Sequence, residues 1–363
     1  MKYHWFKPLT HTRDYLKVSR NVILNNKMTM GEDSYKLEKK LQKSLGVKYV
    51  VLTTSGTSAL MMATIASGIK PFDLVYAPNY TWIASVNPAR IIGAKIKLVD
   101  SLPESEIINF ELLNKQIKKN PPKLVVLTHL NGQANFNEEF DNLKKKYNFF
   151  VIEDAAQALF SRSDKKILCG TKYDIGCFSL SITKPINMVY GGFCTTNSTK
   201  LYKKLIAIRN NGVNAEPENA KLELPTELGL NLKPSDLHSS IGLINLNSRT
   251  KRIKNLKKIF DFYKKNINNQ KLKFSRLKGS YTVPCYPQVL VNNRKKFVKY
   301  CEKNNIGLHL GIRCLSKNKD FSNSNNKNLK NSIKFSDQVV RLPSGPGYQI
   351  SDLKKIVRLI NKF

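Results

Sequence analysis

Short apolar, β-branched runs alternate with amphipathic stretches from residue 47 to residue 211. Residues 47–54 read as a strand. Helical spacing follows over residues 58–68, where Ala59, Met62, Ala63 and Ala66 share a face. Residues 73–77 and 94–100 read as strands on either side of a helix-like stretch at 82–92. Residues 123–129 and 149–154 read as strands flanking a helix at 138–147. Strands at 177–180 and 192–196 and a helix at 199–211 continue the series. Alternation of this kind predicts an α/β fold with a mainly parallel sheet covered on both faces. Ligands of such sheets sit beyond the carboxyl ends of the strands. The long helical pattern over residues 235–266 suits a linker helix. A strand at 283–290 and a final helix at 351–361 then predict a small α/β domain. The expected division is 1–245 for a large domain and 246–363 for a small one, and the polar stretch 316–331 reads as a mobile loop.

A chain of 363 residues has room for two such domains. No stretch approaches the ~20 apolar residues of a membrane helix. The first residues lack the basic-then-apolar pattern of a secretory signal, so a soluble, cytoplasmic protein without membrane partners is expected. The six cysteines at 169, 177, 194, 285, 301 and 314 show no CxxC pair and no zinc spacing. They read as reduced packing residues, and no metal site is expected. Lys and Arg number 61 against 26 Asp and Glu, a net charge of +35. A nucleic-acid partner is one reading of that excess. Basic residues spread over solvated positions are the other, favoured because no zinc finger, RNA-recognition motif or helix-turn-helix accompanies them. The densest patch, residues 251–265, falls on one helix.

Four segments at strand ends carry candidate chemistry. Thr54-Ser55-Gly56-Thr57-Ser58-Ala59, between a strand and a helix, reads either as an ordinary cap or as small residues that let first-turn amides face an anion. Glu153-Asp154-Ala155-Ala156-Gln157 ends an apolar strand in acid. There a carboxylate either caps the next element or holds a ring nitrogen protonated. In Phe178-Ser179-Leu180-Ser181-Ile182-Thr183-Lys184, the lysine follows a buried-looking strand and precedes the apolar Val189-Tyr190-Gly191-Gly192. A lysine in such a pocket loses its proton more easily and can attack an aldehyde, and Ser179 offers a hydroxyl to a phosphate. Gly229-Leu230-Asn231-Leu232 reads as a turn before the capped helix that follows Pro234-Ser235-Asp236.

Taken in order, these segments resemble the DegT/DnrJ/EryC1/StrS family of sugar aminotransferases. Met30-Gly31, Pro78-Asn79-Tyr80-Thr81-Trp82, His129-Leu130-Asn131-Gly132-Gln133 and Ile241-Gly242-Leu243 extend the likeness. It runs from about residue 28 to 250, with a weaker echo at 342–363. The resemblance implies the type I (aspartate aminotransferase) fold of PLP-dependent transferases. That is a seven-stranded, mainly parallel sheet flanked by helices, with a smaller C-terminal α/β domain. It also implies pyridoxal 5'-phosphate (PLP) as cofactor. Lys184 would carry PLP covalently and then shuttle the proton. Asp154 would pair with the pyridinium nitrogen, Gln157 with the ring hydroxyl side, and Thr57, Ser58 and Ser179 with the phosphate. Trp82 would stack on the ring, unless it is a buried helix aromatic. Asn231 would reach the phosphate of a partner subunit, which implies a homodimer.

The implied activity is a two-stage transamination, from glutamate to a nucleotide-linked keto-sugar. Its product would be an amino-sugar for lipopolysaccharide, O-antigen, capsule or a glycosylated metabolite. Three features depart from the family pattern. Tyr190 stands where an acid is usual, Lys233 replaces the arginine after the turn asparagine, and Asn211 replaces a histidine in Arg209-Asn210-Asn211-Gly212. Sugar dehydratases of the same family carry histidine in place of the lysine, so Lys184 argues against that activity. Two rival readings stay open: a different ketone substrate, and a nucleic-acid-binding regulator on a degenerate version of the fold.

Overall fold

The computed structural model describes residues 2–26, 28–214, 224–275, 281–321 and 328–363. Helix α1 (Thr12–Leu24) precedes α2 (Glu32–Leu45), which buries Leu37, Leu41 and Leu45 at a spacing of one helical turn and stops at Gly46 (φ +66°). Strand β1 (Tyr49–Thr53) leads into α3 (Gly56–Ala66), and β2 (Leu74–Pro78) into a 3-10 turn (Ile83–Ser85) and α4 (Asn87–Ile92). Then come β3 (Lys95–Val99), α5 (Phe110–Lys119), β4 (Leu124–Thr128), α6 (Glu138–Tyr147), β5 (Phe150–Asp154), β6 (Ile175–Ser179), β7 (Gly192–Thr196) and α7 (Thr199–Arg209). The seven strands form one sheet in the order β1-β7-β6-β5-β4-β2-β3, in which β7 alone runs against its neighbours. Both faces are covered. Val51, Val75, Val126 and Ile152 pack under α3, α4 and α7, whereas Tyr76, Val125, Leu127 and Val151 pack with Leu113 of α5 and Phe140 of α6. That two-sided burial is why the strands read as continuous apolar runs.

After α8 (Asp236–Asn247) and α9 (Arg249–Asn266), a second sheet forms. Strands β8 (Leu272–Phe274), β9 (Gln288–Val291) and β10 (Val339–Arg341) are antiparallel in the order β10-β9-β8, and α10 (Arg294–Lys303), α11 (Lys330–Gln338) and α12 (Ile350–Ile360) accompany them. Val289, Val291, Phe297, Val340, Leu353 and Ile356 make a separate core with Tyr3 of the N-terminal segment. That segment belongs with the second sheet, since Tyr3 bridges to Ile306 and Phe6 to Ser344. The second sheet and the segment 3–8 lie on opposite sides of the expected division after residue 245, which itself falls inside α8.

Several expected elements shift for identifiable reasons. The strand expected at 283–290 begins only at Gln288, because Pro284 and Pro287 have no N–H to give a ladder. The single helix expected over 235–266 breaks at Ser248 into α8 and α9. Trp82 precedes its helix instead of lying in it. Within the expected loop 316–331, Leu315–Lys317 and Lys319–Phe321 are 3-10 turns and α11 starts at Lys330; residues 322–327 lie outside the described residues. All six cysteines are buried and unpaired. Among the described residues no helix is long and apolar enough to cross a membrane.

One buried ion pair joins α2 to α7. Arg209, fully buried, reaches Glu38 Oε1 at 3.1 Å, and that oxygen also accepts the Leu52 N–H at 2.8 Å. Glu38→Ala would take the carboxylate away from a buried guanidinium that also donates to Asn210 Oδ1 at 3.2 Å, so it is expected to destabilise the chain by about 3–5 kcal/mol. Urea unfolding measures this directly, and a loss below about 1 kcal/mol would mean that water reaches Arg209.

Candidate active site

The carboxyl ends of β1, β2, β4, β5 and β6 deliver the expected segments to one cavity of about 370 Å³, lined by Gly56, Thr57, Trp82, Asp154, Gln157, Ser179 and Lys184. Two glycines allow close approaches here: Gly56, on the cavity wall, and Gly192. A Cβ on Gly56 would stand 2.8 Å from the Ser179 Cβ, and one on Gly192 would stand 2.4 Å from the Ser55 carbonyl carbon. Neither position tolerates a side chain, so the α3 start and the ends of β6 and β7 close to backbone distance. Ser55 caps α3 by accepting the Ser58 N–H at 3.0 Å. The first-turn amides of Gly56 and Thr57 have no helical acceptor, and beside Ser179 they form a seat for an anion. The Ser58 hydroxyl instead contacts those of Thr54 (2.8 Å) and Ser55 (2.9 Å), and Ser58 is not on the cavity wall.

Lys184 projects from the irregular segment between β6 and β7. Its N–H donates to Ser181 O at 2.9 Å, and the segment is closed by Leu180 N–H to Gly191 O and Met188 N–H to Leu180 O, both 2.8 Å. The half-buried amine has no hydrogen-bond or ion-pair partner among the described residues. Asp154 ends β5, and strand alternation sends its carboxylate to the cavity and that of Glu153 to the opposite face. Ser85 donates to Asp154 Oδ2 at 2.6 Å, and the Ala156 N–H to Oδ1 at 3.1 Å. Burial pushes the Asp154 pKa up, while these two donors and the nearby Lys184 oppose the shift. Glu153 holds the backbone beyond β5 in place, accepting the N–H groups of Gly170, Lys172 and Tyr173 at 2.7–2.8 Å.

Beside Glu153 lies buried His129, which also borders the cavity. Burial opposes charging the ring, while Cys169 and Glu153 pull the other way, up to about 10. The Asn135 N–H donated to Nδ1 at 3.0 Å is decisive, because a protonated Nδ1 has no lone pair. His129 is therefore neutral, with its proton on Nε2 toward Glu153 Oε2 at 2.9 Å. Gln157 Oε1 accepts the Asn131 N–H at 3.0 Å, which fixes that side chain. Asn131 in turn clasps the second sheet's approach segment: its Oδ1 accepts from Cys285 and Tyr286, and its Nδ2 donates to Tyr286 O. Trp82 is 57% exposed, so it is not a core aromatic, and it lines the cavity.

Asn231 is exposed, pairs with Asn210 in an isolated bridge, and does not border this chain's cavity. Tyr190, at the position where an acid is usual, does border it and follows Val189 at φ +66°, a costly conformation for a β-branched residue. Further wall residues escape sequence reasoning, among them Trp5, Tyr286, His309 and Arg341. They come from the N-terminal segment and the second sheet, and no local spacing announces them.

A model of the DegT/DnrJ/EryC1/StrS aminotransferase family matches residues 10–361. The chain is 33% identical over 234 residues to the GDP-perosamine synthase of Escherichia coli O157:H7, spanning 64% of this chain and 63% of that protein. It is 29% identical over 303 residues to the UDP-4-amino-4,6-dideoxy-N-acetyl-beta-L-altrosamine transaminase of Campylobacter jejuni, covering 78% and 75% of the two chains. Helicobacter pylori PseC, an aminotransferase involved in the biosynthesis of pseudoaminic acid, superposes with TM-score 0.90 at 20% identity, over 100% of this chain and 99% of that one.

Proposed function

The chain belongs to the DegT/DnrJ/EryC1/StrS aminotransferase family, whose cofactor is PLP, and on that premise we propose that it carries the amino group of glutamate to a keto-sugar attached to a nucleoside diphosphate. The observation that carries the reading is the convergence of an unpartnered lysine, a buried carboxylate and a glycine-built anion seat on one cavity. These groups fit PLP. Its phosphate matches the seat at Gly56, Thr57 and Ser179, with Ser58 bracing the turn from behind. Its ring nitrogen matches Asp154, its hydroxyl side Gln157, and its exposed face Trp82. Bound PLP supplies a sink for the electron pair left when a proton is taken from the amino-bearing carbon.

In this reading Lys184 holds the cofactor covalently, then takes and returns the proton at that carbon. Asp154, charged by the proximity of a cationic ring nitrogen, keeps that nitrogen protonated. The neutral His129 adds no charge beside it. The family's two-subunit site fits the surface position of Asn231, so a homodimer in which Asn231 reaches the partner's phosphate seat is part of the proposal. The relatives' printed names, a GDP-sugar synthase and a UDP-sugar transaminase, support a nucleotide-linked sugar as acceptor.

The test is the absorbance of the purified protein with PLP. The band of lysine-linked cofactor is expected to form, to be lost on adding glutamate, and to return with a nucleoside-diphospho-4-keto-sugar. No band would overturn the reading. A basic groove along α9, lined by Arg162, Arg249, Lys254, Lys257, Lys258 and Lys265, would then become the feature to explain, through salt-dependent binding of DNA.

A further inference from the structure

Tyr190 is held at the cavity by a turn that strains the backbone and gains little packing at the strained residue. Val189 has φ +66°, and Tyr190 after it is 63% exposed while lining the same cavity as Lys184. A β-branched side chain resists that φ, and Val189 is itself 40% exposed, so its burial does little to offset the strain. Strain of this kind persists only where the surroundings over-determine the backbone. Here they do. The Met188 N–H donates to Leu180 O, the Leu180 N–H to Gly191 O and the Tyr190 N–H to Met188 O, each at 2.8 Å. Before the turn, Asn245 Nδ2 donates to Asn187 O at 2.7 Å, and the Val189 N–H donates to Asn187 Oδ1 at 3.4 Å. Met188 is fully buried, and Gly191 makes room for it: a Cβ there would stand 2.4 Å from the Met188 sulfur.

What this rigid turn presents is a phenol side chain without a partner. Its hydroxyl makes no hydrogen bond, and its ring meets no aromatic or cationic group, among the described residues. Trp82, another exposed ring of the wall, is matched to the cofactor. Tyr190 stands on a different element, between β6 and β7. A flat apolar surface with one polar tip suits a sugar, whose ring has C–H faces edged by hydroxyls.

We propose that Tyr190 is a specificity residue for the acceptor: its ring packs against a C–H face of the keto-sugar, and its hydroxyl bonds to one of the sugar's hydroxyls. This rests on the transaminase reading and deepens it, because Tyr190 then serves the sugar half-reaction and leaves the glutamate half-reaction alone.

The experiment uses the full chain loaded with PLP, as wild type, Tyr190→Phe and Tyr190→Ala. A preserved band of lysine-linked cofactor certifies that each variant is folded. Rapid mixing follows loss of the band with glutamate, and then its return with GDP-4-keto-6-deoxymannose or UDP-4-keto-6-deoxyglucose, whichever wild type uses faster. Tyr190→Ala is expected to raise the sugar concentration for half-maximal return by roughly 10- to 100-fold and to leave the glutamate step within about twofold. Tyr190→Phe keeps the ring and should lose only the hydroxyl's share, roughly 3- to 10-fold. An unchanged sugar step in the alanine variant overturns the proposal. An equal loss in both steps also overturns it, by making Tyr190 a cofactor contact. Dissociation of the dimer in Tyr190→Ala, measured by light scattering, overturns it too, since the ring would then be a subunit contact. A wild type that loses the band with glutamate and regains it with neither sugar refutes the acceptor reading, and the role of Tyr190 with it. An unchanged alanine variant of an active wild type refutes that role alone.

Discussion

Replacing Lys184 by alanine is expected to leave a folded protein whose amino transfer falls by about 10⁴-fold or more. The side chain makes no hydrogen bond or ion pair among the described residues. The only Lys184 bond on which the 180–191 segment relies is from its backbone N–H to Ser181 O, which alanine retains. Stability should therefore change by less than about 1 kcal/mol. Activity should collapse because one amine performs both covalent attachment and proton transfer, and no other lysine among the described residues borders the cavity. Lys184→Arg separates chemistry from charge: the guanidinium remains a cation but neither attacks an aldehyde nor takes a proton at neutral pH. Both variants should lack the band of lysine-linked cofactor. Residual turnover above about 1% in either would move the proton transfer to another group.

How far this site could be read from the chain depends on where each residue's signal lies. Asp154 was legible because an acid at the end of an apolar strand has nowhere apolar to go, and alternation assigns the two neighbouring acids to opposite faces. Lys184 was one of 61 basic residues, and only the ordered set of motifs around it singled it out. The sheet was legible for the reason that its strands are covered twice: Leu124–Thr128 is buried at every position. The second sheet was harder. Its strands have three or four residues each, too short for a clear period, and the prolines at 284 and 287 end any ladder there. Trp5, Tyr286, His309 and Arg341 were illegible in a stricter sense. They are brought to the cavity by packing across about 340 residues of chain, and nothing local marks them.

The same geometry makes Asp154→Asn the sharpest test of the cofactor's orientation, because its effects on stability and on activity should have opposite signs. Burial raises the Asp154 pKa above its ordinary 3.8, with the Ser85 and Ala156 hydrogen bonds working against it. An acid whose folded-state pKa is raised binds its proton more tightly when folded, so the cofactor-free chain loses stability as pH rises through the window above 3.8. At neutral pH the wild type therefore bears the cost of a buried carboxylate, and the asparagine variant does not. Without PLP, Asp154→Asn should unfold at the same or a higher temperature than wild type, and its stability should lose that part of the pH dependence. With PLP the order reverses: a cationic ring nitrogen compensates the carboxylate, so the wild type gains more on binding. Amino transfer should fall by about 10²- to 10³-fold in the variant, the scale of removing one aligned electrostatic partner from a transition state. Thermal unfolding with and without PLP, at several pH values, reads both effects. A variant that is destabilised without PLP, and stabilised by PLP as much as wild type, would make Asp154 a cap for Ala156 and an anchor for Ser85, with the ring nitrogen facing another group.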